Sequence, residues 1–341
     1  MPRAIGSPLA AFVTPGSSLG KAAQRASIAE TLGYDLVLDN HIANRDGLVS
    51  LAAYGATTST VRLGTGVYPA LLQSPLSLAQ QAATLDEILR GRLVLGLGTS
   101  HRPTIEGWHG LEFPDAPVEA MREIVTVLRS LFAEGAVDFS GRHVRVGFRF
   151  MGFTPRADIP IHLAALSPAM LRLAGEVADG VILWLCDPGY VRETVVPLIA
   201  EGAEQAGRDP AEIEIIAAVT CSVAGDPGPV LTKFRRTLVP YLSLPFYRAM
   251  LARAGYGEDL ERFDAGMAEG DLDRALDGVS HDMLHALAGI GTEADVRKKL
   301  DEYRDAGVTL PGVGPLTADG TLRFEQILAV AAGHDLTAAT T

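Results

Sequence analysis

The sequence predicts a parallel α/β fold, on two observations. Short apolar runs alternate with amphipathic stretches along the 341-residue chain. Several of the runs, LVLGLG among them, are apolar at every position, as suits a parallel strand covered on both faces. The candidate strands are Pro8–Val13, Tyr34–Asn40, Val61–Pro69, Arg92–Thr99, Pro160–Leu166, Gly180–Cys186, Glu214–Ala224 and Val308–Pro315. Periodicity alone leaves open whether such a sheet closes on itself.

The intervening stretches read as helices. Leu78, Ala82, Leu85 and Leu89 recur on one face; Ser74 is a suitable N-cap, Pro75 suits the first helical position and Gly91 the stop. Ile124, Leu128 and Leu131 mark the next helix, and Leu171, Ala174 and Ala178 the one after, opened by Ser167 and Pro168. Two segments break the rhythm. Val137–Met151 alternates like a short hairpin ahead of the fifth strand. Thr232–Gly289, after the seventh, is too long for one connection and largely helical in pattern, with breaks expected at Pro240, Pro245, Gly255 and Gly278. It reads as an insertion in one elaborated domain spanning 1–341, at the end where binding loops reside.

Composition narrows the partners. A formal charge of -12 repels phosphate backbones, and no basic run forms a nucleic-acid stripe. Any anionic ligand must be held locally, by backbone amides or a few arginines. The two cysteines, Cys186 and Cys221, have no metal-ligand spacing and fit a reducing compartment. The stretch MPRAIGSPLAAFVTPG lacks the pattern of a leader, and no apolar run approaches about 20 residues. A cytoplasmic protein acting on a small molecule is the expectation.

In a parallel α/β fold, ligands sit at the carboxyl ends of the strands. There the chain carries Asp39-Asn40-His41, then GTGVYP from Gly64 to Pro69, GTSHRP from Gly98 to Pro103, and AALSPAM from Ala164 to Met170. Together with YDLVLDNH, SPLSLAQQAATLDEILRGRLVLGLGTSHRP, PIHLAALSPAMLRLAGEVADGVIL and GTEADVRKKLDEYRDAGV, these turns resemble the luciferase-like monooxygenase family, and especially its coenzyme F420-dependent branch. The resemblance covers most of the chain except Thr232–Gly289. It implies a (β/α)8 TIM barrel and an oxidoreductase that moves a hydride between the deazaflavin and a small organic substrate.

The resemblance also implies roles. His41 matches the histidine that lies against the cofactor ring and serves as a proton donor. Asn40 stands where many relatives carry aspartate, and an amide cannot stabilise an imidazolium as a carboxylate does. Gly66 and Val67 align with a strand bulge that in deazaflavin relatives contains a non-proline cis peptide backing the ring. Leu166 and Ser167, at a helix start, would hold the cofactor phosphate. Thr99, Ser100 and Arg102 would complete that pocket, although Arg102 reads equally as one half of a surface ion pair. His101 is a second catalytic candidate, and Trp184 packs beside the cofactor or fills the barrel mouth. Asp187 stands where the sugar-phosphate branch carries a substrate-binding lysine, which disfavours a phosphorylated sugar.

Other signals carry less. Gly96-Leu97-Gly98 lacks the spacing of a dinucleotide fingerprint. His281 and His285, one turn apart, have no third ligand nearby in sequence, so no metal is expected. Two alternatives stay open: an FMN-dependent monooxygenase using oxygen in the same pocket, and a flavin-binding protein without catalysis. The apolar stretch LVPYLSLPFYRAML hints at a bulky substrate, and helices of that kind also form homodimer interfaces.

Overall fold

The computed structural model describes residues 7–334; the first six residues of the stretch read for a leader lie outside it. The strands are β1 (Ala10–Phe12), β2 (Leu36–Asp39), β3 (Arg62–Thr65), β4 (Tyr68–Pro69), β5 (Leu93–Gly98), β6 (Ala136–Ser140), β7 (Arg145–Arg149), β8 (Ile161–Ala164), β9 (Gly180–Trp184), β10 (Glu214–Val223), β11 (Ala288–Gly291) and β12 (Leu310–Pro315). Parallel pairing runs β1–β2–β3–β5–β8–β9–β10–β12 and returns from β12 to β1, so the sheet closes into an eight-stranded barrel. Closure leaves no free edge among these strands, the property that periodicity could not supply.

Alternate residues divide the barrel's two faces. Ala10, Leu36, Leu38, Val94, Ile182, Ile216 and Leu310 form one buried cluster, capped by Phe12 and Val67. Their partners in the alternation, among them Ala11, Val37, Leu95 and Leu183, belong to the larger core under the helices. The barrel strands are mostly apolar because each lies between a filled interior and a helical shell, with Asp39, Thr65, His162, Thr220 and Ser222 as buried polar exceptions.

The helix signals are realised. Ser74 accepts from Ser77 N–H at 3.2 Å ahead of Pro75–Ile88, and Leu78, Ala82, Leu85 and Leu89 are all buried. Ser167 caps Pro168–Val177 in the same way. Val137–Met151 contains the expected hairpin, β6 paired antiparallel to β7 after the helix Pro117–Glu134.

Three readings of the sequence need correction. The expected third strand, Val61–Pro69, is two: β3 pairs with β2, whereas β4 pairs with the end of β5; the peptide between Gly66 and Val67 that separates them is cis, as the resemblance implied. The long helical segment starts at Gly228 and its helices end at Leu287; the next four residues are β11, which pairs with the upper half of β10. β10 is ten residues long, so β9 covers its first half and leaves its second half to β11. Pro240 breaks no helix. Gly228–Leu242 runs through it and stops two residues later, where few i→i−4 bonds remain to be lost. Pro245 does open the next helix, Pro245–Arg253.

The helices Pro168–Val177 and Val196–Gln205 pack through glycine. A Cβ on Gly175 would stand 2.1 Å from the Ile199 carbonyl oxygen, and one on Gly202 would stand 2.0 Å from that of Arg172. Neither backbone can yield without moving a helix. Gly175→Ala is therefore expected to cost about 1–3 kcal/mol in urea unfolding. Gly107→Ala, whose Cβ enters open space, should stay within about 0.5 kcal/mol of the parent. Equal effects at the two positions would contradict this account of the packing.

Candidate active site

The strand ends open into one mouth. Inside the barrel nearly everything is sealed, yet Asn40, His41, Gly66, Val67, Thr99, Ser100, Leu166, Ser167 and Trp184 are all half-buried. Their positions follow from the topology. β2, β3 and β5 are neighbours, and β8 and β9 continue the ring, so residues just past their last hydrogen bonds face a shared space.

The floor is built by contact. A Cβ on Gly98 would meet Val67 Cγ2 at 2.8 Å and Ala164 Cβ at 3.2 Å, and one on Gly66 would meet the Phe12 ring at 2.8 Å. Val67, between β3 and β4, thus packs against the ends of β5 and β8 at Gly98 and Ala164, leaving a low surface with no room for larger residues. The backbone locks the edge of this floor. Gly66 N–H donates to Asp39 O at 2.6 Å, and His41 N–H donates to Val67 O at 3.3 Å.

His41 is oriented by the turn that follows it. Its Nδ1 accepts from Gly47 N–H at 3.1 Å and lies 3.6 Å from the Asp46 carboxylate; its ring meets Tyr68 edge-on at 4.6 Å. An Nδ1 that accepts places the neutral ring's proton on Nε2. Burial lowers the His41 pKa, and Asp46 opposes that shift. Asn40 plays no part in this: its amide oxygen accepts from Thr14 Oγ1 at 3.1 Å. The companion carboxylate is Asp46, five residues further on, which also caps Gly47–Gly55 through Val49 N–H. Sequence reasoning missed Asp46, although an Asp-Gly pair opening a helix was visible as a cap.

Asp39 does not compensate for Asn40. It points out of the barrel towards Ser50, with both carboxylate oxygens buried and without a hydrogen bond. Burial raises its pKa to about 7; the Asn40 amide and the Ser50 hydroxyl pull the other way, and neither reaches hydrogen-bonding geometry.

The opposite rim is aromatic. His101 meets Tyr247 at 5.7 Å, Tyr247 meets Tyr241 at 4.9 Å, and Tyr241 meets Trp184 at 5.9 Å, all edge to face. The row spans from the β5 end to the β9 end, over β8, and its two tyrosines come from the helices after β10. His101 Nδ1 is buried along it without a hydrogen-bond partner, and Trp184 Nε1 is buried against the Tyr241 hydroxyl, whose ionised form it favours. Burial lowers the His101 pKa and raises those of both tyrosines, so the row is neutral near pH 7.

Arg102 is not drawn into this mouth. It pairs with Glu106 at 2.6 Å, stacks over Phe113, and lines an open cleft of about 780 Å³ beside the hairpin. A second depression of about 680 Å³ adjoins Lys21 and Arg323. Neither includes His41, Val67, Leu166 or Trp184, so the strand ends rather than the depth of these depressions mark the site. At the β8 end, Leu166 O accepts from Tyr190 O–H at 2.9 Å, and Arg253, from the inserted helices, approaches that hydroxyl and favours its ionised form. Ser167 Oγ accepts from Met170 N–H at 3.3 Å. Thr99 Oγ1 donates to Ser100 O at 3.2 Å, and Ser100 adopts a left-handed φ of 57°. Asp187 is structural: it accepts from Tyr190 N–H and from Tyr256 O–H, both at 2.7 Å. Among the described residues there is no cluster that could hold a metal, and His281 and His285 are exposed.

The profile of the luciferase-like monooxygenases matches residues 6–310. The chain belongs to that family. It is 31% identical over 299 residues to 5,10-methylenetetrahydromethanopterin reductase of Methanolobus tindarius, covering 86% of this chain and 90% of that one. The structure of the coenzyme F420-dependent tetrahydromethanopterin reductase from Methanopyrus kandleri superposes with a TM-score of 0.79 at 27% identity, covering 95% and 96% of the two chains. An F420-dependent secondary alcohol dehydrogenase, solved with an F420-acetone adduct, shares the fold with a TM-score of 0.75 at 21% identity, covering 92% and 94%. In a barrel of this kind the chemistry is carried by the strand ends and the loops that follow them.

Asp39 yields a signed expectation. A carboxyl whose folded pKa is raised costs stability where it must ionise, above about pH 7, and the cost fades as pH falls towards its ordinary value of 3.8. Asp39→Asn should therefore gain stability over the parent as pH rises from 4 to 8, approaching about 4 kcal/mol at the top of that range. Parallel stability–pH curves for the two proteins would show that the buried carboxyl is not the cause.

Proposed function

We propose that this protein is a coenzyme F420-dependent oxidoreductase that transfers a hydride between the deazaflavin and a small organic substrate. The observation that carries the reading is the mouth itself: a low floor of Val67, Gly98 and Ala164, with the neutral, oriented imidazole of His41 at its edge. A planar ring fits over such a floor, and the family's F420-dependent members supply the cofactor class. The residues present suit the group. Gly66 and Val67 would back the ring, His41 and Asn40 would flank it, and Thr99 and Ser100 would border it from β5. Leu166 and Ser167 would hold the phosphate at the start of a ten-residue helix, where free amides and the helix dipole favour an anion. Arg253 supplies the local cation there, in place of Arg102, which Glu106 already engages.

When bound, the deazaflavin accepts or donates a hydride at its reactive carbon. The protein holds the ring against the floor, keeps water away with the aromatic rim, and places a donor near the substrate. His41 would present Nε2–H as a hydrogen-bond donor to charge developing on the substrate or ring, with its Nδ1 held by Gly47 N–H. His101, on the far rim, is the second candidate for proton transfer. The exposed Phe246, Met267 and Leu272 on the inserted helices support a homodimer, and the buried free thiols of Cys186 and Cys221 support a reducing cytoplasm.

Titration under anaerobic conditions should show saturable quenching or enhancement of F420 fluorescence and none with FMN. His41→Ala should retain the F420 affinity and lower turnover of a reacting alcohol, ketone or enone by about 10²–10⁴-fold. FMN binding in preference to F420 would move the protein to the oxygen-using branch. Unchanged turnover in the variant would remove His41 from the chemistry.

A further inference from the structure

A cavity on the β1 side of the barrel lies apart from the mouth. It holds about 680 Å³, within the range of small-molecule sites and far more than a bare ion fills. Its walls are the helix Leu19–Thr31, which follows β1, and the turn between β12 and the helix Phe324–Ala331. Lys21, Arg25 and Arg323 line it, against one carboxylate, Glu325. Arg25 holds that carboxylate at 2.8 Å and stacks over the Phe324 ring at 4.1 Å. Lys21 has no carboxylate partner among the described residues. Arg323 has none either, and its Nε donates to Gln326 Oε1 at 3.3 Å. Another ammonium adds to the field: Lys233 Nζ donates at 2.6 Å to the carbonyl of Thr317, itself on the wall. The result is a cationic hollow in a chain of formal charge -12, and such a hollow concentrates anions.

The place of the cavity separates it from the corner at Leu166 and Ser167. In the closed ring β1 is reached from β8 only through β5, β3 and β2 on one side, or through β9, β10 and β12 on the other, so the two lie on opposite sides of the barrel. One phosphate group cannot serve both. β12 is the last barrel strand, and the loops after the final strands of TIM barrels frequently hold phosphates. Ile28 and Leu322 add an apolar stretch of wall, which suits an organic body rather than an inorganic ion alone. We propose that this cavity is a second anion site, and that it takes a phosphorylated small molecule. Lys21 and Arg323 engage the phosphate, Ile28 and Leu322 receive the body, and Arg25, fixed by Glu325 and Phe324, shapes the wall between them. The site is independent of the cofactor and stands whether or not F420 binds at the mouth.

The test is calorimetric titration of the full-length protein, free of cofactor and at low salt, with phenyl phosphate and with inorganic phosphate. Phenyl phosphate should bind saturably and more tightly than inorganic phosphate. Lys21→Gln and Arg323→Gln, both on exposed side chains, should each weaken it about tenfold, the equivalent of one charge-assisted contact. Lys298→Gln removes an equal charge from the helix Glu293–Asp305, away from the cavity, and should change nothing. Arg253→Gln, at the opposite corner, should leave the Lys21-dependent binding unaltered. Absence of saturable binding, or a loss in Lys298→Gln equal to that in Lys21→Gln, would overturn the site. A loss in Arg253→Gln with none in Lys21→Gln would place the anion at Leu166 and Ser167 and overturn it as well. Inorganic phosphate binding as tightly as phenyl phosphate would overturn the organic ligand.

Discussion

Two backbone hydrogen bonds at the end of β2 set the geometry on which the site depends. Gly66 N–H to Asp39 O and His41 N–H to Val67 O stitch the last residues of β2 to the segment between β3 and β4. Because Val67 also caps the barrel's interior cluster, the same stitching fixes the floor and the imidazole relative to one another. Once His41's backbone is placed, Gly47 and Asp46 select its ring orientation from the next helix start. A substitution that loosened the packing of Phe12, Leu38 or Val67 would therefore displace the His41 imidazole without touching it.

The site's electrostatics run against the chain's overall character. The protein carries a formal charge of -12, yet four ring side chains around the mouth are held neutral. His41 and His101 are pushed towards the uncharged form, and burial keeps Tyr241 and Tyr247 protonated. Asp39, behind β2, takes up its proton at about pH 7. Neutral donors in a low-dielectric mouth suit a two-electron transfer in which charge appears only transiently on substrate or ring.

What could be read from the residues was what local chemistry dictates. Ser74 and Ser167 announced helices because a hydroxyl before Pro has an orphan amide to satisfy, and LVLGLG announced a doubly covered strand. The position of His41 was legible because a strand end fixes where a side chain emerges. Arg102 and Glu106, four residues apart, already spelled the ion pair that forms. What escaped depended on distant partners. β11 is only Ala288–Gly291, too short to show a period, and exists because β10 outlasts β9. The aromatic row joins residues 101, 184, 241 and 247, a proximity that no window of sequence contains. Closure of the barrel was likewise a long-range fact, supplied by the resemblance and borne out by β12 pairing with β1.

The bond between Asp187 and Tyr256 divides labour within the chain. Asp187 belongs to the barrel, at the turn after β9, and Tyr256 to the inserted helices, so one carboxylate moors the roof to the walls. Tyr241 and Tyr247 lie on the roof side of that mooring, while His41, Val67 and Leu166 lie on the wall side. The roof can thus exchange its side chains through mutation while the anchor keeps it in register over an unaltered barrel floor. A lineage built this way can change what it acts upon without relearning how it acts.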